Sequence, residues 1–368
     1  MSKFKQGVWI IMQELKELII KEFNVKEEKV DKIITCLPDV YKTGELSLDE
    51  LRTYISSVIS KFEDCVSIKD KYFDPNYFYT DKRCNLRFNN DAPAGKVPQP
   101  IGYTDYSGMF ERCSSNKSYD ISEWDVSSVT DMSKMFACCD IKSFGDLSDW
   151  DVSNVTDMRS TFAYCEVDSF GDLSNWNVSN VMNMSEMFCN CQVKSFGDLA
   201  NWDVSNVTSM HSMFAYCETE YFGDLSNWNV SNVNDMAGMF SRCRVKSFGD
   251  LAKWNVSNVT NMHSMFYYCE VKSFGDLSNW EVSNVNNMSE MFLSCRVNSF
   301  GDLSKWNVSN VTDMEYMFAY CEIESFGDLS NWNVSNVTKM IYMFKDCQVK
   351  SFGDLSKWKP KCAMPKLK

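Results

Sequence analysis

Sixteen cysteines, two histidines and a recurring aspartate are the residues of this 368-residue chain with the most obvious capacity for chemistry. Ten of the cysteines keep a fixed step, from Cys113, Cys139 and Cys165 to Cys347, each 26 residues after the last. Such a row admits three uses: disulfides between neighbours, a metal site, or a packed line of thiols. Neighbouring copies would fall near disulfide reach. Yet each cysteine follows a Met-Phe pair on an apolar face (Thr161-Phe162 before Cys165), and no export signal is read at the start of the chain. Reduced core thiols are therefore the expectation. Identical ligands in one straight row do not make the tetrahedron that zinc requires.

The other candidates are weaker. His211 and His263 occupy one repeat position two copies apart, about 10 Å at the usual strand spacing, too far to share a metal. They read as solvent-facing. The aspartate of the FGDL string recurs from Asp146 to Asp354. Unit charges about 5 Å apart repel by roughly 1 kcal/mol in water and 3 at an effective dielectric of 20, so this row needs compensation. Backbone N–H groups of the turn are the expected source, ahead of a calcium ladder. Asn-x-Ser/Thr triplets such as those at Asn154 and Asn177 recur at fixed positions and read as a structural ladder rather than glycosylation sites. No catalytic constellation, cofactor motif or metal site is found, and a non-enzyme is expected.

The elements that position these residues are set by the repeat itself. Ten tryptophans, Trp124 to Trp358, keep the same 26-residue step without one insertion. In the copy from Trp176 to Asn201 the apolar positions include Trp176, Val178, Val181, Met184, Met187, Phe188, Cys191, Phe196 and Leu199. Leu173, Trp176 and Val178 suit a short strand. The spacing from Val181 onward suits one or two helical turns, and Gly197-Asp198 reverses the chain. A single copy is too small to bury both faces, so the array is the folding unit. The expected architecture is an α/β repeat, a leucine-rich-repeat-like solenoid of about ten turns, roughly 50 Å long at ~4.8 Å per turn.

The string WNVSNVTDM…MF…C…FGDLS resembles the bacterial surface-protein 26-residue repeat, and is similar to the BspA-type leucine-rich repeat. The resemblance covers about Tyr106 to Trp358. It implies a leucine-rich-repeat-like solenoid and an adhesion or protein-binding role.

Three regions are expected. Residues 1–65 read as a helical region, with Val8, Met12, Leu15, Ile19 and Phe23 on one face and a Ser47/Glu50 capping box. A faint similarity to acyl carrier proteins would make Ser47 the phosphopantetheine site, although Leu46 stands where that family has aspartate. Residues 66–103 read as an irregular segment with a linker at 91–100, and residues 104–368 as the solenoid with a Lys/Pro-rich tail blocking its last edge. The first copy is atypical, with Tyr106 and Ser118 in place of methionine and phenylalanine.

A net charge of −13 disfavours nucleic acid and anionic membranes. No transmembrane run is seen, and an intracellular location is expected, in a host cell if the source is a virus. What varies between copies is the residues flanking Met-Phe. They supply the candidate partner-binding set of Tyr164, Tyr216, Arg242, Tyr267, Tyr268, Tyr316, Tyr320 and Tyr342, residue types favoured in binding hot spots. Tolerant surface positions explain them equally well. The expected function is a protein-interaction scaffold, with a purely structural spacer or self-assembling surface or virion component as the alternative. The tyrosine pattern has a double period, AYCE or YYCE at every second copy, which growth by duplicating pairs of copies would explain. The residue after each ladder cysteine alternates in charge (Glu218, Arg244, Glu270, Arg296, Glu322), which predicts ion pairs between turns.

Overall fold

The structure, a computed structural model, describes residues 73–365 except 220, 272 and 298. Residues 72–368 form one compact unit. The helical expectation for residues 1–65, with Ser47, lies outside the described residues.

Each 26-residue copy makes one turn of a solenoid, and its backbone is spent largely on its neighbours. In the stretch from Met132 to Cys138 every second N–H leaves the turn. Those of Met132, Lys134, Phe136 and Cys138 donate to the carbonyls of Asp157, Arg159, Thr161 and Ala163 in the next copy, at 2.8–2.9 Å. Of the intervening N–H groups, that of Ser133 goes to Asp131 Oδ1 at 2.8 Å and the others close four-residue turns, such as Met135 to Met132 at 3.1 Å and Cys139 to Phe136 at 3.2 Å. The third residues of those two turns, Lys134 and Cys138, sit at φ 57° and 56°, as type II turns require. This pattern repeats down the array. In this Met-to-Cys stripe the inter-turn backbone N–H donors therefore point toward the later copy, while the Cys139 and Cys165 thiols and the Thr161 hydroxyl reach back to the earlier one.

The helical turn expected after Val181 is corrected by this pattern. An α-helix needs each N–H for its own fourth-preceding carbonyl, and here half of them are committed to the next copy. The strand expected at Leu173, Trp176 and Val178 is corrected too. Leu173–Asn175 is a single 3-10 turn, repeated through Leu355–Lys357. Parallel pairing instead falls just before the first methionine, as bridges from Asp105↔Asp131 through Asp157↔Asn183 to Asp313↔Lys339, and in places just after the cysteine, as Asp140↔Glu166 and Glu322↔Gln348. Longer strands occur only in the first copies among the described residues: β3 (Gly95–Lys96), β4 (Ser114–Asp120) and β5 (Asp140–Ser143) form a parallel sheet.

The FGDL aspartates do what was expected of them. Asp172 accepts the Ser174 N–H at 3.0 Å and caps its 3-10 turn, and Asp198 to Asp354 repeat the cap. They also explain the glycine beside them. A methyl group on Gly249 would come within 1.8 Å of Asp224 Oδ1 from the preceding turn, and its φ is +83°.

The core is a set of columns. Phe110, Phe136 and so on to Phe344 stack with centroids 5.5–5.9 Å apart. The tryptophans stack beside them at 6.3–6.5 Å where their rings face, as in Trp124–Trp150 and Trp332–Trp358. From Trp176 onward each buried indole N–H reaches a leucine carbonyl of the previous copy, as Trp176 Nε1 does to Leu147 at 2.9 Å, and Trp124 and Trp150 reach Val97 and Ile121 in the same way. Outside, the Asn ladder donates similarly, Asn154 Nδ2 to the Ser127 carbonyl at 2.7 Å, the structural use expected for those triplets.

The first turn is sealed by the segment expected to be irregular. β1 (Phe78–Thr80) and β2 (Leu86–Phe88) form an antiparallel hairpin, and Phe88 packs on Phe110 at 4.8 Å. Phe88 N–H and Arg87 Nη1 meet the outward carbonyls of Met109 and Ser107 at 2.7 and 2.6 Å. Residues 91–100, read as a linker, contribute buried Ala92 and Val97 and the strand β3 instead. Tyr106 replaces methionine here because it faces this seal, its hydroxyl 3.4 Å from the Pro100 carbonyl. At the far end Trp358 and Pro365 are buried, and the Lys361 N–H bonds the Val337 carbonyl at 2.8 Å.

Candidate functional site: an exposed aromatic column

The residue just before each ladder cysteine is forced to positive φ by its turn and points outward. Tyrosine takes this place at every second turn: Tyr164, Tyr216, Tyr268 and Tyr320, at φ 58°, 57°, 51° and 58°. They are 40–50% exposed, whereas the phenylalanine column behind them is almost wholly buried. Left-handed backbone suits Gly or Asn far better than an aromatic residue.

Most of the candidate residues gather into two clusters. Arg242 lies over the rings of Tyr216, Tyr267 and Tyr268 at 5.6, 5.2 and 4.8 Å, and donates from Nη2 to the Tyr267 hydroxyl at 3.3 Å. That bond raises the guanidinium pKa further. Tyr320 and Tyr342 flank Lys345 at 5.2 Å each, and Tyr316 packs on Tyr342 at 5.1 Å. Tyr164 stands apart against Cys189. That thiol is the main cause of the phenol's rise to about 12, with burial second. Lys345 was missed by sequence reasoning. It stands at the repeat position of Tyr267, and only the stacking of turns shows that it serves two tyrosines.

The reactive residue types elsewhere are spent on structure. The ladder cysteines are buried from Cys113 to Cys321 and half-buried at Cys347. Burial pushes the Cys113, Cys217 and Cys347 thiols up to about 12, which removes their nucleophilicity at neutral pH. His263 is half-buried rather than solvent-facing. Its Nδ1 lies 2.8 Å from Ser289 Oγ and its Nε2 3.2 Å from Ser264 Oγ, whose hydroxyl donates to Glu290 at 3.0 Å. The carboxylate here touches a serine and not the imidazole. The order is wrong for a nucleophilic relay, in which the acid orients the histidine. His211 lies 3.9 Å from Asp235, also half-buried. Among the described residues no three His, Cys, Asp or Glu side chains could hold a metal ion. No helix there is long and apolar enough to cross a membrane.

The expected ion pairs between turns are present: Arg244–Glu218 at 3.6 Å and Arg296–Glu270 at 3.2 Å. Each arginine reaches back to the earlier copy.

A register unbroken over the array, a columnar core and an outward aromatic stripe define a repeat solenoid. The chain belongs to the family described as "Mycoplasma protein of unknown function, DUF285", which matches residues 104–218, 192–300 and 270–364. No curated protein and no solved structure matches it.

Proposed function

We propose that the protein is a non-catalytic scaffold that binds other protein surfaces through the column built on Tyr164, Tyr216, Arg242, Tyr268 and Tyr320. One observation carries this reading. Half-exposed tyrosines are kept at left-handed backbone positions where asparagine or glycine would be less strained. Tyr and Arg are residues that binding interfaces favour. The similarity to BspA-type leucine-rich repeats, with their adhesion role, points the same way. The buried, high-pKa thiols suit an intracellular, reducing setting, and the acidic chain suits neither nucleic acid nor an anionic membrane.

The test is a crosslinking pull-down from the native cells with the whole chain. A triple variant, Tyr216→Ala, Tyr268→Ala and Tyr320→Ala, should lose the partner that the unaltered protein captures. A control altered on the asparagine face, at Asn206 and Asn258, should keep it. If the tyrosine variant captures the same partner equally well, the column is not the binding surface. A spacer would then be favoured.

A further inference from the structure

We infer that the partner of the tyrosine column is a second copy of this chain, laid antiparallel against the first. This rests on the reading of the column as a binding surface and adds its occupant.

The outer column alternates. Between the tyrosines at 164, 216, 268 and 320 stand Asn190, Arg242 and Ser294, and Cys138 stands before the first, all at the same turn position with φ 49–56°. Three of these four are shorter than tyrosine. The column thus reads long, short, long, short, with the one long intervening residue a cation. It carries no carboxylate over these eight turns, in a chain with 50 acidic residues. Two copies that each carry a charge of −13 repel, and this column is where their approach costs least, since the glutamates beside it, Glu166, Glu218, Glu270 and Glu322, alternate with Gln192, Arg244 and Arg296.

A two-fold interface is self-complementary: if residue i meets residue j, then j meets i. An axis perpendicular to the stack, passing between the turns of Tyr216 and Arg242, sets Tyr216 of one copy against Arg242 of the other. The same operation sets Asn190 against Tyr268, Tyr164 against Ser294, and Cys138 against Tyr320. Every tyrosine ring then faces a shorter side chain or a guanidinium that already prefers aromatic faces. An axis through the turn of Arg242 would instead oppose ring to ring and Arg242 to Arg242. The core has no use for this period of two, because its phenylalanines are the same at every turn. The alternation is a property of the outside alone.

The strip from residue 138 to 320 covers seven inter-turn steps, about 34 Å at ~4.8 Å each. A contact of that length and one or two columns' width is at the low end of specific interfaces, below about 1,200 Å². The pair should therefore be weak.

Sedimentation equilibrium of the full chain from about 1 to about 300 μM should show monomer passing to dimer, with a Kd in the micromolar range. Filling the gaps with Asn190→Tyr and Ser294→Tyr should weaken the pair at least about tenfold. The same column already accepts tyrosine at this backbone conformation, so circular dichroism and Tm should be unchanged. Mild oxidation to a disulfide, which needs Cα atoms within about 7 Å, should join chains carrying Tyr164→Cys with Ser294→Cys in a Cys84→Ser and Cys138→Ser background. It should not join chains carrying Asn190→Cys with Ser294→Cys, which meet only if the axis passes through a turn. A monomer at every concentration overturns the inference, and so does a dimer indifferent to the filled gaps. A monomer that still loses its captured partner on Tyr→Ala substitution would sink the second copy while leaving the column as a binding surface.

Discussion

Two aromatic columns run side by side through the array, and they obey different rules. The inner one, Phe110 to Phe344, is phenylalanine at every turn, and each ring stacks on the next within 6 Å. The outer one, from Tyr164 to Tyr320, changes residue at every turn and repeats only at every second. A buried ring has one neighbour above and one below, and both are fixed by the packing of identical copies. Any change there opens a cavity or a clash in two turns at once. An outward ring meets no such demand from its own chain. Its periodicity must answer to something else, or to nothing.

The difference can be broken most severely by shifting register. Removing half a copy should leave an unfolded or aggregated chain by circular dichroism, because every later phenylalanine loses its place. Removing two whole copies should leave a shorter folded protein with both columns intact. Removing one copy separates the columns: the inner stays continuous, while two tyrosines become neighbours outside. A folded half-copy deletion would refute the solenoid.

Single substitutions come next. Phe240→Ala should cost about 3–5 kcal/mol in denaturant unfolding, the usual penalty for emptying a fully buried aromatic site. Tyr164→Asn, at φ 58°, should change stability by no more than about 1 kcal/mol, because backbone relief offsets the lost ring contacts. Similar losses at both positions would mean the outer column is part of the core after all. Gly249→Ala falls between, at about 2 kcal/mol, from a positive φ and the Asp224 carboxylate in the way.

Acid should separate the columns more gently. The carboxyl groups of Asp172, Asp276 and Asp328 are held below their ordinary value, chiefly by the N–H of the serine two residues on and then by its hydroxyl. Groups with lowered folded-state pKa add stability that is complete above the ordinary value of ~3.9 and is lost as pH falls through the folded values. Tm should therefore hold steady down to about pH 4 and drop below it, with the 3-10 turns lost before the stacked phenylalanines, which near-ultraviolet circular dichroism would report. A Tm unchanged to pH 2 would show that the caps contribute nothing.

The smallest effect concerns the charged row. Arg244→Glu with Arg296→Glu would create a run of glutamates from Glu218 to Glu322. Exposed pairs are worth about 0.2–1 kcal/mol each, so a modest fall in Tm at low salt, largely recovered in high salt, is expected. No change at low salt would deny that these side chains meet.

The repeat, its step, the buried row of cysteines and the aspartate caps were legible in the sequence because each is a demand made identically at every copy. So was the pairing of Arg244 with Glu218, from alternation alone. What was not legible is the backbone between Met and Cys. Its spacing of three and four is that of a helix, and hydrophobic period alone does not tell an α-turn from a run of type II turns whose N–H groups bond the next copy. The positive φ of Tyr164 or Glu186 leaves no mark in residue type, since neither is a residue that signals it. The seal at residues 78–97 was hidden because it occurs once and has no copy to reveal it. Arg242 and its three rings were named individually, but their meeting needed the turn-to-turn distance.

Between the first methionine and the cysteine, every backbone N–H that leaves a turn bonds the later copy, the carbonyls that receive these bonds face the earlier one, and Arg87 and Phe88 meet the first of those carbonyls. A copy inserted anywhere in the middle brings donors and acceptors in equal number and leaves the seal untouched. Length is therefore the one property of this protein that gene duplication can change without inventing new chemistry at an end. Relatives of the same family are expected to differ in their number of turns far more than in the way the first turn is closed.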